Sequence, residues 1–174
     1  MATEIEYELT FLASGLPHGL EETQSVLIHD VYVPVSANHA VLRLRQTDDK
    51  YVITKKQPIH DGDSSKQLEH TIELSREEFE ALTNCSNKDF VKRRYYMELN
   101  GYPAEIDVYQ EKLTGLVTID FEFDSEVAKN SFVAPDFVLA DVTQEEAIAG
   151  GFLAGKSIDD IMPKLKRYGY KKIH

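Results

Sequence analysis

The stretch 3–12, Thr3-Glu4-Ile5-Glu6-Tyr7-Glu8-Leu9-Thr10-Phe11-Leu12, alternates polar and apolar residues along its whole length. Side chains two residues apart lie on the same face of a β-strand. One face of this segment is therefore acidic, through Glu4, Glu6 and Glu8, and the other face is apolar. The alternation predicts a strand between two different environments, and the same pattern recurs along the chain.

Seven further segments rich in Val, Ile, Tyr, Phe and Thr also predict strands. They are 25–34, 39–47, 50–57, 66–74, 90–99, 104–110 and 116–124. Most of the connections are too short for a helical crossover, so neighbouring strands are expected to be antiparallel. We expect a mainly β (α+β) fold: an eight-stranded antiparallel barrel or tunnel whose closure removes exposed edges, with a few covering helices.

Three helices are predicted from their N-terminal signals. Ser75 and Thr143 each begin a capping-box sequence that ends in glutamate. The third helix is expected over about 157–168, where apolar residues recur at helical spacing despite Pro163. The sequence contains no visible repeat or linker, and its 174 residues suit one domain. We therefore expect residues 1–174 to form a single domain.

The charge balance excludes some partners. Lys and Arg number 19 against 30 Asp and Glu, which gives a net charge of −11. Extended nucleic acids and anionic membranes need a broad basic surface, so neither is expected as a partner. Cys85 is the single cysteine, which argues against a disulfide framework. The acidic N-terminus differs from a signal peptide, so we expect a cytoplasmic protein, and a homodimer stays an open alternative.

Charged residues on the predicted strands are sorted by sign. The basic pairs are Arg43 with Arg45 and Lys92 with Arg94, and the acidic sets are Glu69 with Glu73, Glu105 with Asp107, and Asp120 with Glu122 and Asp124. Alternation alone is typical of an ordinary sheet with its polar face in water. However, carboxylates two residues apart repel one another unless cations neutralise them. The grouping of like charges on single strands therefore favours an arrangement in which the charged faces point into a barrel.

A charged interior of this kind suits phosphate chemistry. Carboxylate oxygens are the ligands that Mg²⁺ and Mn²⁺ prefer, and Arg and Lys side chains bind phosphate oxygens. Phosphoryl transfer depends mainly on positioning and charge stabilisation. The residues therefore favour a metal-dependent reaction on a small polyanion.

Seven segments resemble, in order, the motifs of the CYTH superfamily, which includes triphosphate tunnel metalloenzymes, thiamine triphosphatases and class IV adenylyl cyclases. Residues 6–12 are similar to the opening ExExK-F-L signature, and residues 43–45 to the RxR strand. The other matches are 53–58 with LTxK, 92–95 with KxRY, 105–109 with EIDxF, 119–123 with ExEF and 141–143 with EVT. The resemblance extends from residue 4 to about 155. It implies an eight-stranded tunnel that binds a small triphosphate with Mg²⁺ or Mn²⁺.

The resemblance also implies a role for each matching residue. The metal ligands would be Glu6, Glu8, Asp120 and Glu122, and the catalytic residues Glu6, Glu8 and Glu122. Substrate phosphate would be bound by Arg43, Arg45, Lys56, Lys92 and Arg94, with Glu69 lining the same tunnel. A register slip of one residue would exchange Lys56 for Lys55. The signature pair could likewise be Glu4 and Glu6 instead of Glu6 and Glu8.

The signature lysine is missing in either alignment. Thr10 occupies its position if residues 11 and 12 fix the register, and Glu8 occupies it if Glu4 and Glu6 are aligned. In the family this lysine is thought to help position the attacking water, so its loss affects hydrolysis more than phosphate binding. We expect a hydrolase of inorganic tripolyphosphate or of a small organic triphosphate such as thiamine triphosphate. The alternatives are a class IV adenylyl cyclase that makes cyclic AMP from ATP, and a non-catalytic triphosphate-binding protein.

Overall fold

The computed structural model describes residues 2–60 and 62–174. Within them the strands are β1 (Ala2–Ala13), β2 (Ser25–Val33), β3 (Leu42–Thr47), β4 (Lys50–Pro58), β5 (Lys66–Leu74), β6 (Asp89–Leu99), β7 (Tyr102–Tyr109), β8 (Val117–Phe123) and β9 (Val138–Asp141). The α-helices are α1 (Arg76–Thr83), α2 (Glu126–Ser131), α3 (Gly150–Leu153) and α4 (Ile158–Leu165). None of the described helices has the length and apolar character needed to cross a membrane.

Strands β1 to β8 form a closed barrel. They are hydrogen-bonded in the order β5-β4-β3-β2-β6-β7-β8-β1, and β1 pairs again with β5 to close the sheet. Each of these pairs is antiparallel. On the closing pair, Glu4 of β1 lies opposite Glu69 of β5. The predicted fold class, an eight-stranded antiparallel barrel with a few helices, is confirmed.

The helix predictions have mixed outcomes. Helix α1 begins after Ser75, whose side chain and Glu78 form the expected capping box. Helix α4 lies within the predicted range and contains Pro163. The helix expected after Thr143 starts later than predicted and is a single 3-10 turn, Glu146–Ile148, because residues 143–144 form a turn and Glu145 is the cap. The Thr143 hydroxyl instead accepts a hydrogen bond from the backbone N–H of Thr10 at 3.0 Å and holds this segment against β1.

Apolar side chains cover the outside of the barrel. Phe11 and Phe121 meet edge to face with ring centroids 5.8 Å apart, and Phe132, just after α2, packs on the Phe121 ring at 4.7 Å. Each such buried side chain contributes on the order of 1.5–3 kcal/mol to folding. Since the outer faces of β7, β8 and the second half of β1 are buried in this way, their opposite, charged faces are left to the barrel interior.

The C-terminal elements close one end of this interior. Leu12 shares a face with the β1 glutamates, and there it belongs to one buried apolar cluster with Ile161 and Leu165 of α4. Helix α3 approaches the barrel closely, because a Cβ on Gly150 would overlap the Tyr32 hydroxyl. Charged residues therefore occupy the remaining part of the interior.

Candidate active site

The barrel encloses a cavity of about 600 Å³. The predicted site residues on its wall are Glu6, Glu8, Arg43, Arg45, Lys56, Glu69, Lys92, Arg94, Asp120 and Glu122. Glu4 also reaches the wall, whereas Lys55, the alternative to Lys56, is exposed. The structure thus places all the predicted site residues around one cavity. Their individual roles in binding and catalysis stay predictions.

Three carboxylates converge on this wall. Glu6, Glu8 and Glu122 each place one ligand oxygen within 4.8 Å of the other two. Glu8 of β1 lies directly opposite Glu122 of β8 in the antiparallel pair. The structure therefore favours Glu6 and Glu8 as the signature pair. Hard oxygen donors so close together fit a Mg²⁺ or Mn²⁺ ion.

The carboxylates of this cluster are held in an unfavourable environment. Burial raises the pKa of Glu122 to about 7, with further contributions from the negative charges of Glu105 and Glu8. Burial also raises the pKa of Glu6, against the opposing effect of Lys56. Protonation relieves the repulsion in the metal-free protein, and a bound cation would relieve it while leaving the carboxylates ionised.

Asp120 is more buried than Glu122. It is opposite Thr10 in the β1–β8 pair, and an oxygen of its carboxylate is 3.4 Å from an Arg94 nitrogen. Burial, reinforced by the charges of Glu8 and Asp107, raises its pKa well above the ordinary value. Asp120 is thus adjacent to the three-carboxylate cluster, and its role as a metal ligand stays a prediction.

Lys56 is the cation nearest to the acidic cluster. Its Nζ is 2.5 Å from a Glu6 oxygen, 3.3 Å from a Glu69 oxygen and 3.8 Å from a Glu8 oxygen. Burial opposes the charged ammonium, but the charges of Glu8 and Glu6 outweigh it and raise the pKa of Lys56. Lys56 is therefore charged and neutralises part of the cluster.

The position of the missing signature lysine is filled by a short side chain. Thr10 donates its hydroxyl proton to a Glu8 oxygen at 3.2 Å. Lys56, from β4, brings an amine to the same end of the cavity as Glu6 and Glu8. An ammonium group is thus present beside the signature glutamates, supplied by a different strand.

Two buried aspartates hold three of the basic side chains of the cavity in place. Asp30, which is fully buried, accepts two hydrogen bonds of 2.7 Å from the Arg45 guanidinium. Asp107, also fully buried, accepts bonds of 2.7 and 2.6 Å from Arg94 and is paired with Lys92. Although burial opposes ionisation, these cations hold the pKa of both aspartates well below the ordinary value. The aspartates therefore keep the cations in fixed positions.

Arg43 differs from the other predicted phosphate-binding residues. Its Nε is buried, and no hydrogen-bond partner for it lies within residues 2–60 and 62–174. A buried donor left without an acceptor costs about 1–3 kcal/mol. Arg43 lines the cavity, so a phosphate oxygen in the cavity is a chemically suitable acceptor for this guanidinium.

Asp30 is a cavity-lining residue that the sequence analysis missed. It lies between His29 and Val31 in a strand with no other acid, and cross-strand pairing places it opposite Arg45. A single acid on the inward-facing positions of β2 was the available signal. That signal becomes specific only when the β2–β3 register is known.

We expect the metal-free protein to lose stability as pH rises from 5 to 8 because of Glu122. The pKa of this carboxyl is about 7 in the folded protein, against an ordinary value of 4.5. The stability due to its protonated form is fully present below 4.5 and is lost as pH rises through 7. Since Glu122 is partly exposed to solvent, the expected effect is about 1 kcal/mol, or roughly 2–4 °C in Tm.

Thermal unfolding followed by circular dichroism in the presence of EDTA measures this effect. Glu122→Gln cannot ionise, so its Tm should fall less than that of the wild type over the same pH interval. Equal falls in the two proteins would show that other groups cause the pH dependence.

The sequence matches the CYTH domain family over residues 4–128. An inorganic triphosphatase of Nitrosomonas europaea is 31% identical over 151 residues, which make up 86% of this chain and 96% of that protein. This match extends beyond the barrel motifs to most of both chains.

Solved structures show the same architecture. The crystal structure of an inorganic triphosphatase superposes with a TM-score of 0.61 at 27% identity, covering 86% of this chain and 93% of the other. A putative adenylate cyclase from Bacillus halodurans has a TM-score of 0.56 at 17% identity, covering 100% of this chain and 95% of the other, and this likeness concerns the fold alone. With a closed antiparallel barrel, an acidic cluster on its inner wall and a sequence match over most of its length, the chain belongs to the CYTH domain family.

Proposed function

We propose that this protein is a metal-dependent hydrolase of inorganic tripolyphosphate that uses Mg²⁺ or Mn²⁺. The observation that carries the proposal is a single cavity lined both by the Glu6, Glu8 and Glu122 carboxylates and by Arg and Lys side chains. The Nitrosomonas europaea relative, named an inorganic triphosphatase, supports the same reaction class.

The charge of the cavity wall supports a requirement for metal. Acidic side chains outnumber basic ones on this wall, so a highly charged triphosphate alone would be repelled. Glu6, Glu8 and Glu122 would hold the cation, with Asp120 as a further ligand. When bound, the metal would neutralise phosphate charge and lower the pKa of a coordinated water.

The basic side chains would bind and orient the phosphate chain. The buried Nε of Arg43 would donate to a phosphate oxygen. Arg45 donates from its Nε and one terminal nitrogen to Asp30, and the other N–H groups of the same guanidinium are available to phosphate oxygens. Since Asp30 and Asp107 fix their cations before substrate arrives, little reorganisation accompanies binding.

Thr10 motivates the second candidate, a protein that binds a triphosphate without hydrolysing it. The loss of the signature lysine would reduce the positioning of the attacking water. Against this alternative, Lys56 supplies an ammonium group beside the same glutamates. Hydrolysis is therefore the function that the geometry supports better.

An activity assay separates these functions. The protein is incubated with tripolyphosphate, thiamine triphosphate or ATP, each with Mg²⁺ or Mn²⁺, and the products are identified by chromatography. We expect phosphate and pyrophosphate from tripolyphosphate, and no reaction in excess EDTA. Glu122→Gln should lower kcat/KM by about 100-fold or more, because it weakens the hold on the metal.

Glu80→Gln is the matched control, since Glu80 lies on the exposed face of α1 and should leave the activity unchanged. Tight binding of tripolyphosphate without products would contradict hydrolysis and support the binding protein. Formation of cyclic AMP from ATP would instead identify a cyclase.

A further inference from the structure

Lys56 lies where a metal ion and its ligands would need space. Its ammonium is within 2.5–3.8 Å of oxygens of Glu6, Glu69 and Glu8. Two of these residues, Glu6 and Glu8, also belong to the three-carboxylate cluster with Glu122. The same carboxylates therefore face two competing cations, one of which is part of the protein.

An ammonium and a divalent cation repel each other strongly at this separation. Water screens such a repulsion only partly in a protein cavity, and the double charge of the metal ion doubles it relative to two unit charges. In addition, one Glu6 oxygen is already 2.5 Å from the Lys56 ammonium, and Glu6 is one of the three residues that the metal would use. Metal binding at the cluster thus requires Lys56 to move or to weaken its contacts.

Lys56 is better able to move than the other cations of the cavity. Arg45 and Arg94 each donate two hydrogen bonds to one buried aspartate. Lys56 instead has single N–O contacts, its side chain is 25% exposed, and its four-carbon chain is flexible. A small rotation would transfer its ammonium from the glutamates to an anion in the same cavity.

On the basis of the metal site proposed above, we propose that Lys56 acts as an internal counter-ion that occupies the acidic cluster before substrate arrives. When a metal ion enters with a triphosphate, Lys56 exchanges the glutamate oxygens for phosphate oxygens. Free metal then binds weakly, and metal and triphosphate each increase the affinity of the other. This coupling is reciprocal, because it is a free energy shared by two binding sites.

Calorimetric titration of the metal-free protein with Mn²⁺, in the absence of any phosphate, tests the first half of the proposal. Lys56→Met removes the competing charge and should bind Mn²⁺ at least tenfold more tightly than the wild type. Lys55→Met is the matched control: the side chain is the exposed neighbour on the same strand, and its loss should change the affinity less than twofold. Lys56→Arg keeps the positive charge and should stay close to the wild type.

The second half is tested by repeating the titrations with a methylene-bridged triphosphate analogue present. The analogue should increase the Mn²⁺ affinity of the wild type more than tenfold, and that ratio should fall towards one in Lys56→Met. If Lys56→Met is poorly folded, Lys56→Gln, which keeps a hydrogen-bond donor for Glu6, provides the same comparison.

The outcomes separate the two proposals. Unchanged or weaker Mn²⁺ binding in Lys56→Met, together with weaker binding in Glu122→Gln, would overturn the counter-ion role while the metal site stands. If neither the wild type nor the Lys56 variants bind Mn²⁺ with or without the analogue, both the metal site and the counter-ion role are wrong.

Discussion

Asp107→Asn should destabilise the folded protein by about 3–5 kcal/mol. Asp107 is fully buried and accepts hydrogen bonds from both Lys92 and Arg94. Its removal leaves two cations close together in the barrel without their shared counter-ion. An uncompensated buried charge is costly because neither water nor a partner replaces the lost interaction.

Urea denaturation measures this loss as a lower unfolding midpoint with an unchanged slope. Glu105→Gln is the matched control on the neighbouring inward-facing position of β7. Glu105 also contacts Arg94, but its side chain is 19% exposed, so we expect a cost of about 1 kcal/mol or less. Equal midpoints for Asp107→Asn and the wild type would show that the aspartate is not a required counter-ion.

Arg43→Met should weaken the binding of tripolyphosphate by roughly 30–150-fold, which corresponds to the loss of one charged hydrogen bond of 2–3 kcal/mol. In the structure the Arg43 Nε is buried, and the described residues provide it with no acceptor. Met fills similar space without the unpaired donor, so the free energy of unfolding should not decrease and should rise by up to about 1–3 kcal/mol. The variant therefore separates binding from stability.

Arg45→Met is the informative contrast. Arg45 is the partner of the buried Asp30, so its removal should cost about 3–5 kcal/mol of stability in addition to any effect on binding. Binding is measured by titration with the triphosphate analogue and stability by urea denaturation. A loss of stability in Arg43→Met as large as that in Arg45→Met would contradict the distinction between the two arginines.

The alternation in the sequence was sufficient to predict the barrel. All eight predicted strands agree with β1 to β8 within about three residues at either end, and the start of β3 differs most. Strand β9 was not predicted because its four residues are too few to display a pattern. Thr143 was wrongly predicted as the cap of the next helix, because its hydroxyl bonds to Thr10 of a distant strand and Glu145 caps the 3-10 helix instead.

The site was predictable as a set of residues but not as a set of contacts. The CYTH resemblance implied that Glu6, Glu8 and Glu122 share one interior and that Lys56, with Lys55 as the alternative, lies with them. The structure places Lys56 on the cavity wall and leaves Lys55 exposed. The pairing of Arg45 with Asp30 depends on β2 and β3 lying side by side, which the sequence of neither strand reveals. The contacts between side chains of different strands are therefore the part of the site that only the three-dimensional structure reveals.

The closing pair of β1 with β5 also has a consequence for folding. Glu6 and Glu8 lie on β1, whereas Lys56 and Glu69 lie on β4 and β5, so these groups meet only when this last pair of strands is formed. An opened barrel lacks the complete site. A ligand that contacts residues on both strands of this β1–β5 seam binds only the closed barrel. By mass action it shifts the equilibrium between open and closed barrel towards the closed form. Amide hydrogen exchange along the β1–β5 pair would therefore slow in proportion to ligand occupancy, even though the ligand lies inside the barrel and the seam is part of its wall.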